Sequence, residues 1–352
     1  MLFNVQIDEG NRIVGYLIPD GFSGSGSLRI TDGQNDLLIL PCQQELPAIA
    51  AVGRHATGRC GFTIDETIIP DLAKREALEL YDQETNILIY RRRQPSSVTQ
   101  KRVFRLETHL VPLWRLDDSL ERHFQYFHKG IERYGRETAT QTFLLHNATS
   151  LYLSGRLAFK TYENYIDETF NCIALLRDPY RELAERILAL KVIRKFSIEL
   201  LGARDMMTFG PAIAFAEAVE YDEKGLRRAF ATMSKAAIAN LANPLTRQLA
   251  ARTPDEVPTR GAVATALSTL SSFTIVGLRE RQELFLTQLA DLLGTGVDGL
   301  SIPELGRIGE LSDQLRRVPE AQVLIEQDLE VYHHVRAAIV NASTDGNQCP
   351  SP

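Results

Sequence analysis

Over residues 1–93 the apolar positions come in short bursts separated by turn formers. Residues 3–7, 13–18, 27–31, 37–40, 61–64 and 78–91 read as strands. Between them IPDGFSGSGS, TDGQND, VGRHATGRCG and DQETN supply the Gly, Asp and Asn that tight turns require. Strands at this spacing predict a small antiparallel β-sandwich over 1–93, with Asp32-Gly33 at a hairpin turn.

The pattern then changes. RRRQPSSVTQKR at 91–102 is polar and basic, carries Pro95 and paired serines, and reads as a linker placed at 94–102, able also to meet an acidic partner. Beyond it, 103–106 is a short strand and 119–134 has helical spacing. FNCIALL at 170–176 is an apolar run of strand length that leads into Arg177-Asp178-Pro179 and a strongly helical segment. Asp178 is placed to cap that helix and Pro179 to open it. Further helices are predicted at 211–220, 224–241, 279–293 and 319–341, with a disordered tail over 342–352. The expected fold class is therefore α+β: an antiparallel sandwich followed by a helix-rich α/β domain over 103–341.

Composition narrows the functional classes. The net charge of -6 opposes any large, sequence-independent attraction to nucleic acid. Cys42, Cys60, Cys172 and Cys349 are scattered singly, without the spacing of a zinc or redox site, and read as reduced thiols. No stretch reaches the roughly 18 apolar residues of a membrane span, and the acidic start lacks a signal peptide's basic, apolar character, so residence in the cytoplasm is expected.

The run IALLRDPYREL at 173–183 resembles the strand, turn and helix of carbohydrate sulfotransferases of the heparan-sulfate-modifying type. Four further segments fall in that family's order: LSGRLAF at 153–159, ANPLTRQLA at 242–250, FTIVGLRERQELFLTQLADLLG at 273–294 and IEQDLEVYHHVRAAI at 325–339. The resemblance covers about 103–340 and implies a P-loop-like domain whose donor is 3′-phosphoadenosine 5′-phosphosulfate and whose acceptor is a carbohydrate. It also implies donor contacts from Arg177, Asn243 and Arg247. The N-terminal module looks like small β modules attached to some bacterial polysaccharide-processing proteins.

Three positions depart from the family pattern. The stretch after the domain's first strand, VFRLETHLVPLWRLDDSL at 103–120, has no glycine and no lysine to hold a phosphosulfate. Arg156 stands where the family has its histidine base, and a guanidinium stays protonated. Glu185 falls where a phosphate-binding serine belongs. His109 and His146 are the candidate replacement bases, while Glu107 reads as a solvated loop residue. These residues leave three expectations open. One is a catalytically degenerate protein that binds a glycan or a partner, with no certain cofactor. Another is an active sulfotransferase with a rebuilt site. The last is an interaction scaffold using the stripe Leu284, Leu286, Leu289, Leu292 and Leu293. Tyr16, Phe22 and Phe62 are the candidate sugar contacts of the β module.

Overall fold

A computed structural model describes residues 1–345 except 22, 94, 146–147, 167, 196–200, 254–255, 257–258, 297–299, 301 and 305. The chain condenses into two compact units that interleave along the sequence. The first comprises Met1–Phe104, Asp118–Ser154 and Glu168–Phe170; the second comprises Arg105–Asp117, Gly155–Asp167 and Asn171–Pro352. The 94–102 segment thus lies inside the first unit rather than at its edge. Polar ties hold 118–154 to the earlier strands of that unit: Gln141 donates to the Phe3 carbonyl, Gln125 to the Arg91 carbonyl, and Arg91 pairs with Glu121.

Eight strands of the first unit form two antiparallel sheets: β1 (Leu2–Asp8), β2 (Arg12–Ile18), β3 (Ser27–Thr31), β4 (Asp36–Pro41), β5 (Gln44–Glu45), β6 (Arg59–Asp65), β7 (Leu78–Asp82) and β8 (Leu88–Arg92). Their orders are β1-β2-β6-β5 and β4-β3-β7-β8. Alternation puts Phe3, Ile13, Ile64, Leu28, Ile30 and Leu80 in the core. The Asp32-Gly33 turn joins β3 to β4, with Asp32 Oδ1 accepting from the amides of Gln34 and Asn35 and Gly33 at φ 89°. The predicted 78–91 strand is in fact two, because Asp82 accepts from the amide and hydroxyl of Thr85 and Asn86 takes φ 57°.

Five strands form the remaining sheet: β9 (Arg102–Leu106), β10 (Tyr126–His128), β11 (Leu151–Gly155), β12 (Phe170–Leu176) and β13 (Ile275–Leu278). Its order is β10-β11-β9-β12-β13, and the β10/β11 and β12/β13 pairs are parallel. The strand earliest in sequence is therefore central, with β10 and β11 to one side and β12 and β13 to the other. The helix expected at 119–134 does not form. Tyr126, Phe127 and His128 are buried in succession, which no single helical face allows, and Gly130 breaks the chain at φ 66°.

In the second unit the helix Pro179–Val192 has the expected cap: Asp178 accepts from the amides of Tyr180 and Arg181. Its Leu183, Ala184, Ile187 and Leu190 pack in one cluster with Ile213, Ala216, Leu311 and Leu315. The 224–241 segment breaks into Glu223–Ala231 and Lys235–Leu241, since the Ser234 hydroxyl caps the second helix at the Ala237 amide. The 319–341 segment likewise breaks at Ile325, and its second helix runs on to Asp345, so residues 342–345 of the expected tail are helical and 346–352 lie outside the described residues. On Gln282–Leu293 the buried positions are Phe285, Leu289 and Leu293, while Leu284 is exposed. Of the expected stripe, Leu289 and Leu293 are therefore core residues, while Leu284 is exposed and Leu286 and Leu292 are half-buried. Among the described residues no helix is long and apolar enough to cross a membrane.

Gly277 in β13 is where Phe285 sits closest to backbone: an added Cβ would lie 2.5 Å from the ring and 2.7 Å from the Phe285 Cβ. Gly277→Ala should therefore cost about 1–3 kcal/mol. The expected reading is a lower urea midpoint with an unchanged slope.

Candidate functional site

Ligands of open α/β sheets bind beyond the carboxyl ends of the strands, where the strand order reverses. In the second unit that place is built by two turns, 107–113 after β9 and Arg177-Asp178 after β12. A donor phosphate would look there for backbone amides and fixed cations.

The amides of the first turn are already occupied. Arg105 and Glu107 lie two apart at the end of β9, so both point to one face. Glu107 is 2% exposed, which corrects the expectation of a solvated residue. Its Oε1 accepts from the His109 amide at 3.1 Å and from His109 Nδ1 at 3.0 Å. Its Oε2 accepts from the Leu113 amide at 2.7 Å and lies 2.9 Å from Arg105 Nη2. Arg105 is shared with Asp117 through two bonds of 2.9 and 2.8 Å. Burial pushes the Glu107 carboxyl up, but the Arg105 guanidinium and then the His109 contacts outweigh it and hold the group well below the usual carboxylate range.

The rest of the turn is closed in the same way. The Leu110 amide donates to Glu182 Oε1 at 3.1 Å, and that oxygen also receives Arg186 Nε at 2.7 Å. Gln248 Nε2 donates to the Glu107 carbonyl at 2.6 Å, and the Thr108 hydroxyl to the Leu175 carbonyl at 2.8 Å.

Arg177, on the second turn, is 3% exposed. Its Nη1 is 2.7 Å from Glu185 Oε1 in a charge contact without hydrogen-bond alignment, and its Nη2 donates to Glu304 Oε1 at 2.9 Å. Glu304 also receives two bonds from Arg181. Burial pulls Arg177's pKa down, yet the Glu185 charge reverses this and holds the guanidinium firmly protonated. Glu185 itself is pushed up, by burial first and then by the neighbouring Glu182, against the pull of Arg177.

The other predicted site residues fall as follows. Arg156 donates to the Leu110 carbonyl at 3.3 Å and to Asp205 at 2.6 Å, so it braces the turn that carries His109. His109 Nδ1 lies 3.0 Å from the ionised Glu107, and its buried Nε2 makes no hydrogen bond among the described residues. Asn243 takes φ 42° and its Oδ1 accepts from the amides of Gln327 and Asp328, fastening the start of Glu326–Asp345. Arg247 donates to the Ala239 carbonyl. It is the next residue, Gln248, that reaches the first turn. His146 lies outside the described residues.

The first unit has an opening of its own, a cavity of about 810 Å³. Tyr81, Phe127 and Tyr134 line it together with Asp20, Asn86, Lys129 and Arg133. His128 also lines it; burial, aided by the Arg91 charge, pushes its pKa down to about 3, so the ring is neutral. The sugar contacts expected in the β module are not its walls: Phe62 is a core residue, Tyr16 is absent from the lining, and Phe22 lies outside the described residues. Compared with protein-family models and with curated protein sequences, the chain matches none.

A carboxylate whose folded pKa is depressed stabilises the fold above its unfolded pKa, about 4.3, and loses that contribution as pH falls below it. Glu107→Gln should therefore cost about 3–5 kcal/mol at neutral pH, because Arg105 is left short of a buried counter-charge. The gap from wild type should narrow at pH about 3, as urea titrations at the two pH values would record.

Proposed function

We propose that this chain is a sulfotransferase-like protein that has given up donor chemistry and acts by binding a carbohydrate. The observation that carries the first half is Glu107, whose carboxylate takes the backbone amides and the guanidinium that a donor phosphate would need. Arg177 supports the same reading, because two glutamates neutralise it. For an incoming phosphate to bind, these carboxylates must leave, and each departure exposes a buried cation. The order of β10 to β13 around a central β9 suits the α/β architecture that the resemblance implies.

The binding half rests on the first unit's cavity. Aromatic rings offer flat apolar faces to the carbon skeleton of a sugar, and side-chain amide, ammonium and carboxylate groups offer donors and acceptors to its hydroxyls. The cavity holds both kinds of group. A second reading, an active transferase, is favoured by one observation: Glu107 orients His109 with its Nε2 unengaged, the arrangement a general base needs.

Two measurements on the full chain separate these readings. With 3′-phosphoadenosine 5′-phosphosulfate and a panel of bacterial polysaccharides, no sulfate transfer above background is expected. Transfer abolished by His109→Ala, with the variant's melting temperature retained, would establish the active enzyme instead. On immobilised polysaccharides the chain should be retained, and Lys129→Ala with Arg133→Ala, both exposed positions, should weaken retention about tenfold. A chain that no polysaccharide retains does not bind carbohydrate in this cavity.

A further inference from the structure

A second opening, of about 290 Å³, lies in the second unit beside the turn after β12. Four arginines from separate stretches of chain line it: Arg181 from the helix Pro179–Val192, Arg281 from the turn after β13, Arg316 from the end of Ile308–Leu315, and Arg336 from Glu326–Asp345. Among the described residues two carboxylates share the lining, Asp178 and Glu280, and a third, Glu304, pairs with Arg181 beside it, so the arginines outnumber the acids.

Both of those acids are already engaged by the protein. Asp178 Oδ1 caps its helix and Oδ2 receives Arg316 Nη2 at 2.7 Å. Glu280 accepts from the Asp178 amide at 3.2 Å and from the Tyr332 hydroxyl at 3.0 Å. The capped helix end adds little attraction of its own, so the guanidiniums are what an anion would meet. Arg316 is fixed further by lying over the Tyr180 ring at 4.6 Å, and Arg181 by its pairing with Glu304. Such an array, partly held before any ligand arrives, suits a tetrahedral oxyanion, because planar guanidiniums present paired N–H groups to its oxygens.

We infer that this arginine-rimmed pocket is a binding site for a phosphate or sulfate group carried on a small molecule. The volume is close to the lower end for small-molecule pockets, which fits a single ring bearing the anionic group rather than a nucleotide. The site is separate from the turn that Glu107 closes and needs neither that closure nor the carbohydrate cavity of the first unit.

Calorimetric titration of the full chain at low salt with inorganic phosphate, glucose 6-phosphate and glucose 6-sulfate tests it. Saturable binding of at least one sugar ester is expected, the doubly charged phosphate ester binding more tightly than the sulfate ester, with affinity falling as salt is raised. Arg281→Ala and Arg336→Ala each alter an exposed side chain and should leave the melting temperature unchanged while weakening binding about tenfold. Arg59→Ala, in the first unit, should leave binding as it is. Binding of inorganic phosphate equal to that of the esters would overturn the small-molecule assignment. Absence of saturable binding, or full affinity in both pocket variants, would overturn the site itself.

Discussion

The turn after β9 in the second unit is organised around one buried carboxylate, that of Glu107. Glu107 gathers two amides, an imidazole and a guanidinium onto two oxygens, and so gives the turn after β9 a fixed shape without a ligand. A glycine-rich phosphate loop is stable in its working shape largely because an anion occupies it. Here the anion is covalently part of the chain. The neighbours of Glu107 are set around it: Arg105 and Asp117 on one side, Gln248 on its carbonyl, and the Leu113 amide just before the helix Trp114–Leu120.

Burial of so many charges would be ruinous if any were left alone, and the acids and bases are accordingly interlocked. Glu182 serves Arg186 and the Leu110 amide; Glu185 and Glu304 serve Arg177; Glu304 also serves Arg181. The exception is instructive. Glu185 is pushed towards protonation by burial first and then by Glu182 one helical turn away, with Arg177 and His109 pulling the other way. Asp328, buried with two amides and a hydroxyl but no hydrogen-bonded cation, is pushed up to about 6. At Asp328 hydrogen bonds alone do not restore the hydration the carboxylate loses, whereas Glu107 adds a guanidinium at 2.9 Å and an imidazole to its two amides and is held low.

Legibility in the sequence followed the range of the interactions. The strands near 3–7, 13–18, 27–31, 37–40 and 61–64, the FNCIALL strand and the Asp178 cap rest on local alternation and local hydrogen bonds, and they were readable to within a residue or two. The 119–134 stretch was not, because its burial on all sides comes from distant segments while its spacing looks helical. Within the site, the absence of glycine and lysine at 103–120 and the charged Arg156 and Glu185 were visible in the sequence. What replaced them was less so. Arg105 and Glu107 share a strand face and Glu182 and Glu185 a helix face, signals that were present in the spacing. Nothing local marks Glu304 as the partner of Arg177, more than a hundred residues before it.

Net charge was the least informative of the sequence quantities about the second unit. A chain at -6 offers no broad attraction to a polyanion, yet charge acts over a Debye length of about 8–10 Å, not over a whole molecule. Within that range of the turn after β12, what counts is which side chains the fold brings together and which of them are already spent. Four arginines gathered from 181, 281, 316 and 336 outnumber the acids around them, Asp178, Glu280 and Glu304, two of which pair with Arg316 and Arg181, and so leave a local excess of positive charge on an acidic protein.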